Sequence, residues 1–131
     1  MKRYIREAGG DKVRPLFRRR VAASAISGIE VPAAIWRRAR EGDLSEARAH
    51  DLVKKVVEDL AEMIVVEMRR SVTELARELV ERHPLRAYDA VQLACALLLA
   101  ERAATAVTFI CADHRLCDVA VAEQLRSTNI G

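Results

Sequence analysis

Three things are scarce in this chain. Cysteine occurs only three times in 131 residues. Cys95, Cys111 and Cys117 lie inside apolar or helical patterns, with no CxxC pair and no Cys/His spacing suited to zinc or an iron–sulfur cluster. They read as small buried apolar groups in a reducing cytosol. Long hydrophobic runs are missing too: the best, AVQLACALLLA at 90–100, is too short and too interrupted to span a membrane. The N-terminus has no signal-peptide pattern. A soluble, cytoplasmic protein without a membrane partner is therefore expected. Hairpin turns, repeats, low-complexity segments and linkers are absent as well, so residues 1–131 are expected to form a single domain.

What is present is ordinary globular material, 51% apolar and 31% charged, with a net charge of +3. The arginines cluster as RRR at 18–20, RRAR at 37–40 and RR at 69–70. Such clusters either favour a polyanion locally or form solvated helix faces.

Along the chain, MKRYIRE reads as a helix stopped by Gly9 and Gly10, with Asp11 able to cap a second, DKVRPLFRRR. VAASAIS at 21–27 reads as a short buried strand. A helical period then runs through IEVPAAIWRRARE, with Pro32 in its first turn and Gly42 as its stop. LSEARAHDLVKKVVEDLAE is an amphipathic helix whose apolar stripe is Leu44, Ala47, Leu52, Val56 and Leu60. MIVVEM at 63–68 is a second strand, and Ser71 to Glu74 has the spacing of a capping box opening VTELARELVER. After Pro84 comes the least polar helix, RAYDAVQLACALLLAERA. AVTFICA at 106–112 is the third strand, DHRLCDVAVAEQL the last helix, and STNIG the start of a possible further strand. Alternating helices and continuously apolar strands predict an α/β fold with a mostly parallel sheet covered on both faces.

In open parallel sheets, ligands bind beyond the carboxyl ends of the strands. Glu30 follows VAASAIS and Asp113 follows AVTFICA, while Asp89 opens a helix among Ala87, Ala90, Val91 and Leu93. Each carboxylate taken alone suits a helix N-terminus. Together, three acids remote in sequence would converge on one edge of the sheet. Clustered carboxylates repel one another unless a cation neutralises them, and all-oxygen ligation suits Mg²⁺ or Mn²⁺. Such an ion activates water and stabilises charge on a phosphate, so phosphodiester hydrolysis is the chemistry this set fits best.

LRAYDAVQLACAL, TFICADHRL and ISGIEVPAAIWRRAREGDLS resemble three segments of the PIN domain, and specifically of the VapC-type toxin ribonucleases. They match the helix with an acid after an aromatic, the strand ending in Ala-Asp followed by Arg-Leu, and the Glu-bearing helix with its turn. The resemblance covers nearly the whole chain. It implies a three-layer α/β/α sandwich, Mg²⁺- or Mn²⁺-dependent endoribonuclease activity, a homodimer, and inhibition by a cognate antitoxin as the toxin half of a VapBC-type pair. Matched residue by residue, Glu30, Asp89 and Asp113 take the positions of family acids that hold the metal and carry catalysis. Arg115 either holds RNA phosphate or pairs with an acid.

The resemblance departs in one large respect. The family opens with a strand ending in Asp, and then a helix like KRYIREAGGDKV. Here Met1 stands immediately before Lys2, so that first strand and its acid are absent from the chain. A mis-assigned start or a truncation is the expectation, and a degenerate, inactive copy the alternative. Gln92 stands where the family often has His, and Cys111 where it often has Thr. Asp118, five residues after Asp113, points around the helix and is left out of the site. His114 is expected to be exposed, and Trp36 to serve as a core or dimer contact rather than a base-stacking platform. Two rival functions remain open: a catalytically inactive PIN-fold module that only binds an antitoxin or partner, and a receiver-like module using junction acids for one Mg²⁺.

Overall fold

The parallel pairing expected of continuously apolar strands is present twice. In the computed structural model, which describes residues 21–103 and 106–131, the elements are β1 (Ala22–Ser24), α1 (Ser27–Arg40), α2 (Glu46–Ala61), β2 (Ile64–Val66), α3 (Arg70–Arg82), α4 (Ala87–Arg102), β3 (Thr108–Cys111), α5 (His114–Ala122) and β4 (Arg126–Asn129). The two helical readings over residues 1–20 lie outside the described residues. The chain divides into two compact units, Met1–Glu67 and Met68–Gly131. Among the described residues each contains one two-stranded parallel ladder. This is the α/β fold class that the alternating pattern predicted.

In the first unit β1 pairs with β2 in the register Ala22↔Ile64, Ala23↔Val65, Ser24↔Val66. Parallel strands need a long crossover, which α1 and α2 supply. The ladder extends by one bond at each end, Ile64 N–H to Val21 O at 3.0 Å and Ala25 N–H to Val66 O at 2.8 Å. Ser24, only 2% exposed, accepts from Ile26 N–H at 3.3 Å through its Oγ and so shapes the turn into α1.

Helix α1 begins earlier than the sequence suggested. Ile29 and Glu30 already donate to the Ile26 carbonyl, so Pro32 lies inside the helix instead of in its first turn. Its missing N–H deprives the Gly28 carbonyl of a helical partner. The end is as anticipated: Gly42, at φ +87°, donates to Ala39 O, and Asp43 donates to Arg38 O, which together close the helix with a left-handed cap.

Ser45 opens α2, its Oγ accepting from Arg48 N–H at 3.1 Å. The buried stripe is Ala49, Leu52 and Val56, so Ala49 replaces the expected Ala47, which is exposed. These side chains meet Ile35 of α1 to form the core of the unit. Trp36 packs beside it, edge-on to the His50 ring at 4.8 Å.

In the second unit α3 buries Val72, Ala76 and Leu79 along one stripe, and packs against α4, which buries Ala90, Leu93, Ala94 and Cys95. Burying a Leu such as Leu79 is worth about 1.5–3 kcal/mol. The capping box does not form. Helix α3 starts after Arg69, so Ser71 is already within it, and Thr73 Oγ1 bonds back to Arg70 O at 3.0 Å.

The segment STNIG does contribute a strand. β4 runs parallel to β3 in the register Thr108↔Arg126 to Cys111↔Asn129, with α5 as the crossover. Helix α5 ends in a left-handed cap without glycine: Gln124, at φ 66°, donates to Val121 O, and Leu125 donates to Ala120 O. The expectation of three separate thiols is corrected, because Cys111 of β3 and Cys117 of α5 form a disulfide with a Cα–Cα separation of 6.1 Å. The helix folds back against the strand it follows, and that brings two sulfurs six residues apart together. Cys95 lies buried outside that bridge. Among the described residues no helix is long and apolar enough to cross a membrane.

Candidate active site

A proline sets up the first wall of the site. His83, preceding Pro84, is extended at φ −136°, ψ 150°, as the proline ring requires, and this ends α3. Leu85 N–H then bonds His83 O at 2.9 Å in a tight turn around Pro84. The corner is tied to the far end of α5 by Glu123, which accepts from Arg82 Nη2 at 2.8 Å and contacts His83 Nε2 at 3.1 Å. Arg86 follows as the residue from which α4 starts.

Asp89 stands in the first turn of α4, where unpaired backbone N–H groups favour a carboxylate. Its side chain is only 15% exposed, and its Oδ2 lies 3.3 Å from Arg86 Nε. The Arg86 side chain is by contrast 85% exposed.

Asp113 caps α5. Its backbone is extended and its Oδ1 accepts from Arg115 N–H at 2.9 Å. The carboxylate thus satisfies one of the amide groups that a helix start leaves bare.

Asp89 and Asp113, remote in sequence, line one cavity of about 330 Å³ in the second unit, together with the segment 84–86, Arg115 and Leu116. Two carboxylates and two guanidinium groups therefore share this cavity. Among the described residues the Arg115 guanidinium pairs with no acid, which of the two sequence alternatives leaves its charge available to an anion. Arg86 was not anticipated. Reasoning from strand–helix junctions looks for acids, although the three-residue spacing from Arg86 to Asp89 at a helix start was visible.

Glu30 belongs to the other unit, in the first turn of α1 directly after β1, as the sequence suggested. It is half-buried, and its N–H donates to Ile26 O at 2.9 Å. Of the three predicted acids, then, Asp89 and Asp113 share a cavity within one unit and Glu30 is held in the other. Among the described residues no group of three or more His, Cys, Asp or Glu gathers as a metal site.

The residues left out of the site lie elsewhere. His114 and Asp118 pair at 3.4 Å on the exposed face of α5, and neither lines the cavity. Gln92 donates to the Tyr88 hydroxyl at 2.8 Å.

No curated protein matches the chain. The PIN domain family does, over residues 4–122. PIN domains are usually nucleases that bind RNA and use divalent metal ions. A match over nearly the whole length, with parallel strands joined by helices and an acid two residues after β3, identifies this chain as a member of the PIN domain family.

Proposed function

We propose that the chain is a metal-dependent endoribonuclease, the toxin of a VapBC-type toxin–antitoxin pair, and that residues 1–131 act as a single PIN-like domain. The observation that carries the reading is the cavity in which Asp89 and Asp113 stand with Arg86 and Arg115. Carboxylate oxygens, with no thiol or imidazole beside them in the lining among the described residues, are a donor set for a hard cation that keeps several of its waters. Asp89 and Asp113 would hold Mg²⁺ or Mn²⁺ there. Once bound, the ion supplies an activated water and stabilises charge on the phosphate.

The chain's own groups do the rest. Asp113 commits Oδ1 to the Arg115 amide, and Asp89 shares Oδ2 with Arg86, so each keeps one oxygen for the cavity. Arg115 offers its guanidinium to an RNA phosphate. The cognate antitoxin and a second copy of the chain are the protein partners, and exposed apolar side chains such as Ile29 and Val121 suit such contacts. The cytoplasm is the compartment this substrate implies.

A rival reading keeps the fold and drops the chemistry: a PIN module that only binds partners. It is favoured by the fact that, among the described residues, two carboxylates line the cavity and no third joins them. Replacing Asp89 or Asp113 by Asn separates the two. Under the nuclease reading either change abolishes Mn²⁺-dependent RNA cleavage while the circular dichroism spectrum is kept. Wild-type protein that cleaves no RNA with Mn²⁺, or mutants that cleave undiminished, would leave the binding module as the better account.

A further inference from the structure

Arg86 is the group in the cavity that the proposed chemistry has not yet used. It is 85% exposed, yet its Nε sits 3.3 Å from an oxygen of Asp89, one of the two carboxylates available to a cation. Its backbone is anchored at the start of α4, behind the corner that Glu123 holds through Arg82 and His83. The side chain is therefore free to swing while its root is not.

We propose that Arg86 is an exchangeable counter-ion: it neutralises Asp89 while no metal is bound, yields that carboxylate to the incoming divalent cation, and then binds a phosphate of the RNA backbone beside Arg115. The proposal rests on the nuclease reading of this cavity. An ion pair with so exposed a partner is weak, because water screens it and the long side chain gives up rotamer freedom to hold it. Displacing it costs the metal a factor of about 1.4 to 5 in affinity, the range that exposed pairs contribute. A guanidinium released from its carboxylate keeps its full donor fork, whose geometry matches phosphate oxygens. Arg86 is thus a positioning residue for substrate, and the cation makes it available.

The test compares wild type with Arg86→Gln in the full-length chain. Mn²⁺ affinity is read by calorimetry. Binding of a fluorescein-labelled 2′-O-methyl uridine dodecamer is read by anisotropy, in EDTA and in Mn²⁺, over a salt series. Arg86 is exposed, so replacing it removes no buried packing, and circular dichroism checks the fold of the variant. The variant is expected to bind Mn²⁺ as tightly as wild type or up to about fivefold more tightly. It should bind the dodecamer in Mn²⁺ about tenfold more weakly, with the salt slope reduced by about 0.7, the value for one lost contact on a single strand. In EDTA, where Asp89 competes for Arg86, the difference should shrink by the strength of that pair, a factor of about 1.4 to 5, leaving the variant about two- to sevenfold weaker. Weaker Mn²⁺ binding by the variant would show that Arg86 orients Asp89 instead of competing for it, and would overturn the proposal. Unchanged dodecamer affinity and slope in Mn²⁺ would overturn it as well, leaving the nuclease reading intact. Wild-type protein that takes up no Mn²⁺ would overturn both.

Discussion

Asp113 combines a structural duty with a proposed chemical one, and a pair of substitutions separates them. The structural duty is the cap: Oδ1 receives the Arg115 amide at 2.9 Å at the start of α5. Asparagine presents an acceptor oxygen in the same place and ranks with aspartate as a capping residue. Losing the charge removes a favourable interaction with the helix dipole of about 0.3–1 kcal/mol, at the low end for a group this exposed. Relief from the like-charged Asp89 in the same cavity offsets part of that loss. Asp113→Asn should therefore change stability by no more than about 0.5 kcal/mol, whereas Asp113→Ala, which leaves the amide without its acceptor, should cost about 1 kcal/mol. For a chain of this size the alanine variant should melt about 3–6 °C lower. Urea unfolding followed by circular dichroism, with equal m-values, gives the two differences, and calorimetric titration with Mn²⁺ gives the chemistry. The expected result is that Asp113→Asn keeps its stability and loses the binding heat. If Asn destabilises as much as Ala, the charge and not the acceptor holds the helix start, and the capping argument is wrong. If Asn keeps the Mn²⁺ heat, Asp113 is no ligand.

Other consequences follow from the packing and the turns. Gly42→Ala should cost about 1 kcal/mol or more in urea unfolding: a Cβ there meets nothing within 4 Å, so the whole loss is backbone strain at φ +87°. Gln124→Gly should act in the opposite sense, stabilising by about 0.5–1 kcal/mol, because Gln124 carries a side chain at φ 66° in the equivalent cap of α5. Leu79→Ala should cost about 2–5 kcal/mol, since Leu79 is fully buried between α3 and its neighbours; a loss under about 1 kcal/mol would contradict that burial. Reducing the Cys111–Cys117 bridge releases a loop of six-residue separation and should lower stability by about 2 kcal/mol, read as a drop in melting temperature with dithiothreitol that Cys111→Ser does not show.

What could be read in the sequence was whatever depends on near neighbours. Gly42 announced the end of α1 because only a residue at ease with positive φ closes that cap cheaply. The alternation of apolar strands and helices announced parallel pairing because parallel strands need crossovers. Errors arose where two local signals compete. Ser71 and Glu74 have capping-box spacing, but α3 starts two residues sooner, after Arg69, which places Ser71 inside the helix beside the buried Val72. Ala47 fits a helical stripe on paper, while the side that meets Ile35 is set by Ala49, Leu52 and Val56. The disulfide was illegible because six-residue spacing has no meaning until α5 is known to fold back on β3. In the site, Asp89 and Asp113 stood out as acids at junctions, but the tie from Glu123 to Arg82 and His83 spans about forty residues of chain and leaves no sequence pattern.

The charge balance of the cavity explains how it tolerates two carboxylates and what it would do with a ligand. Asp89 lies in the first turn of one helix and Asp113 at the cap of another, so each faces the positive end of a helix dipole, worth roughly half an elementary charge. Arg86 and Arg115 add two full positive charges to the same lining. The acids are thus neutralised by groups of the chain itself, and a cation entering the cavity meets positive as well as negative charge. Binding must therefore depend on how cheaply those internal counter-charges give way. The dipoles cannot move, and the Arg115 amide is held in the helix start, but the Arg86 side chain is solvated and tied only by its exposed pair with Asp89. Metal affinity should accordingly be governed at Asp89 by one exchangeable guanidinium and at Asp113 by a fixed amide. Of the two acids, Asp89 is the one whose contribution to Mn²⁺ binding should grow when its arginine is removed.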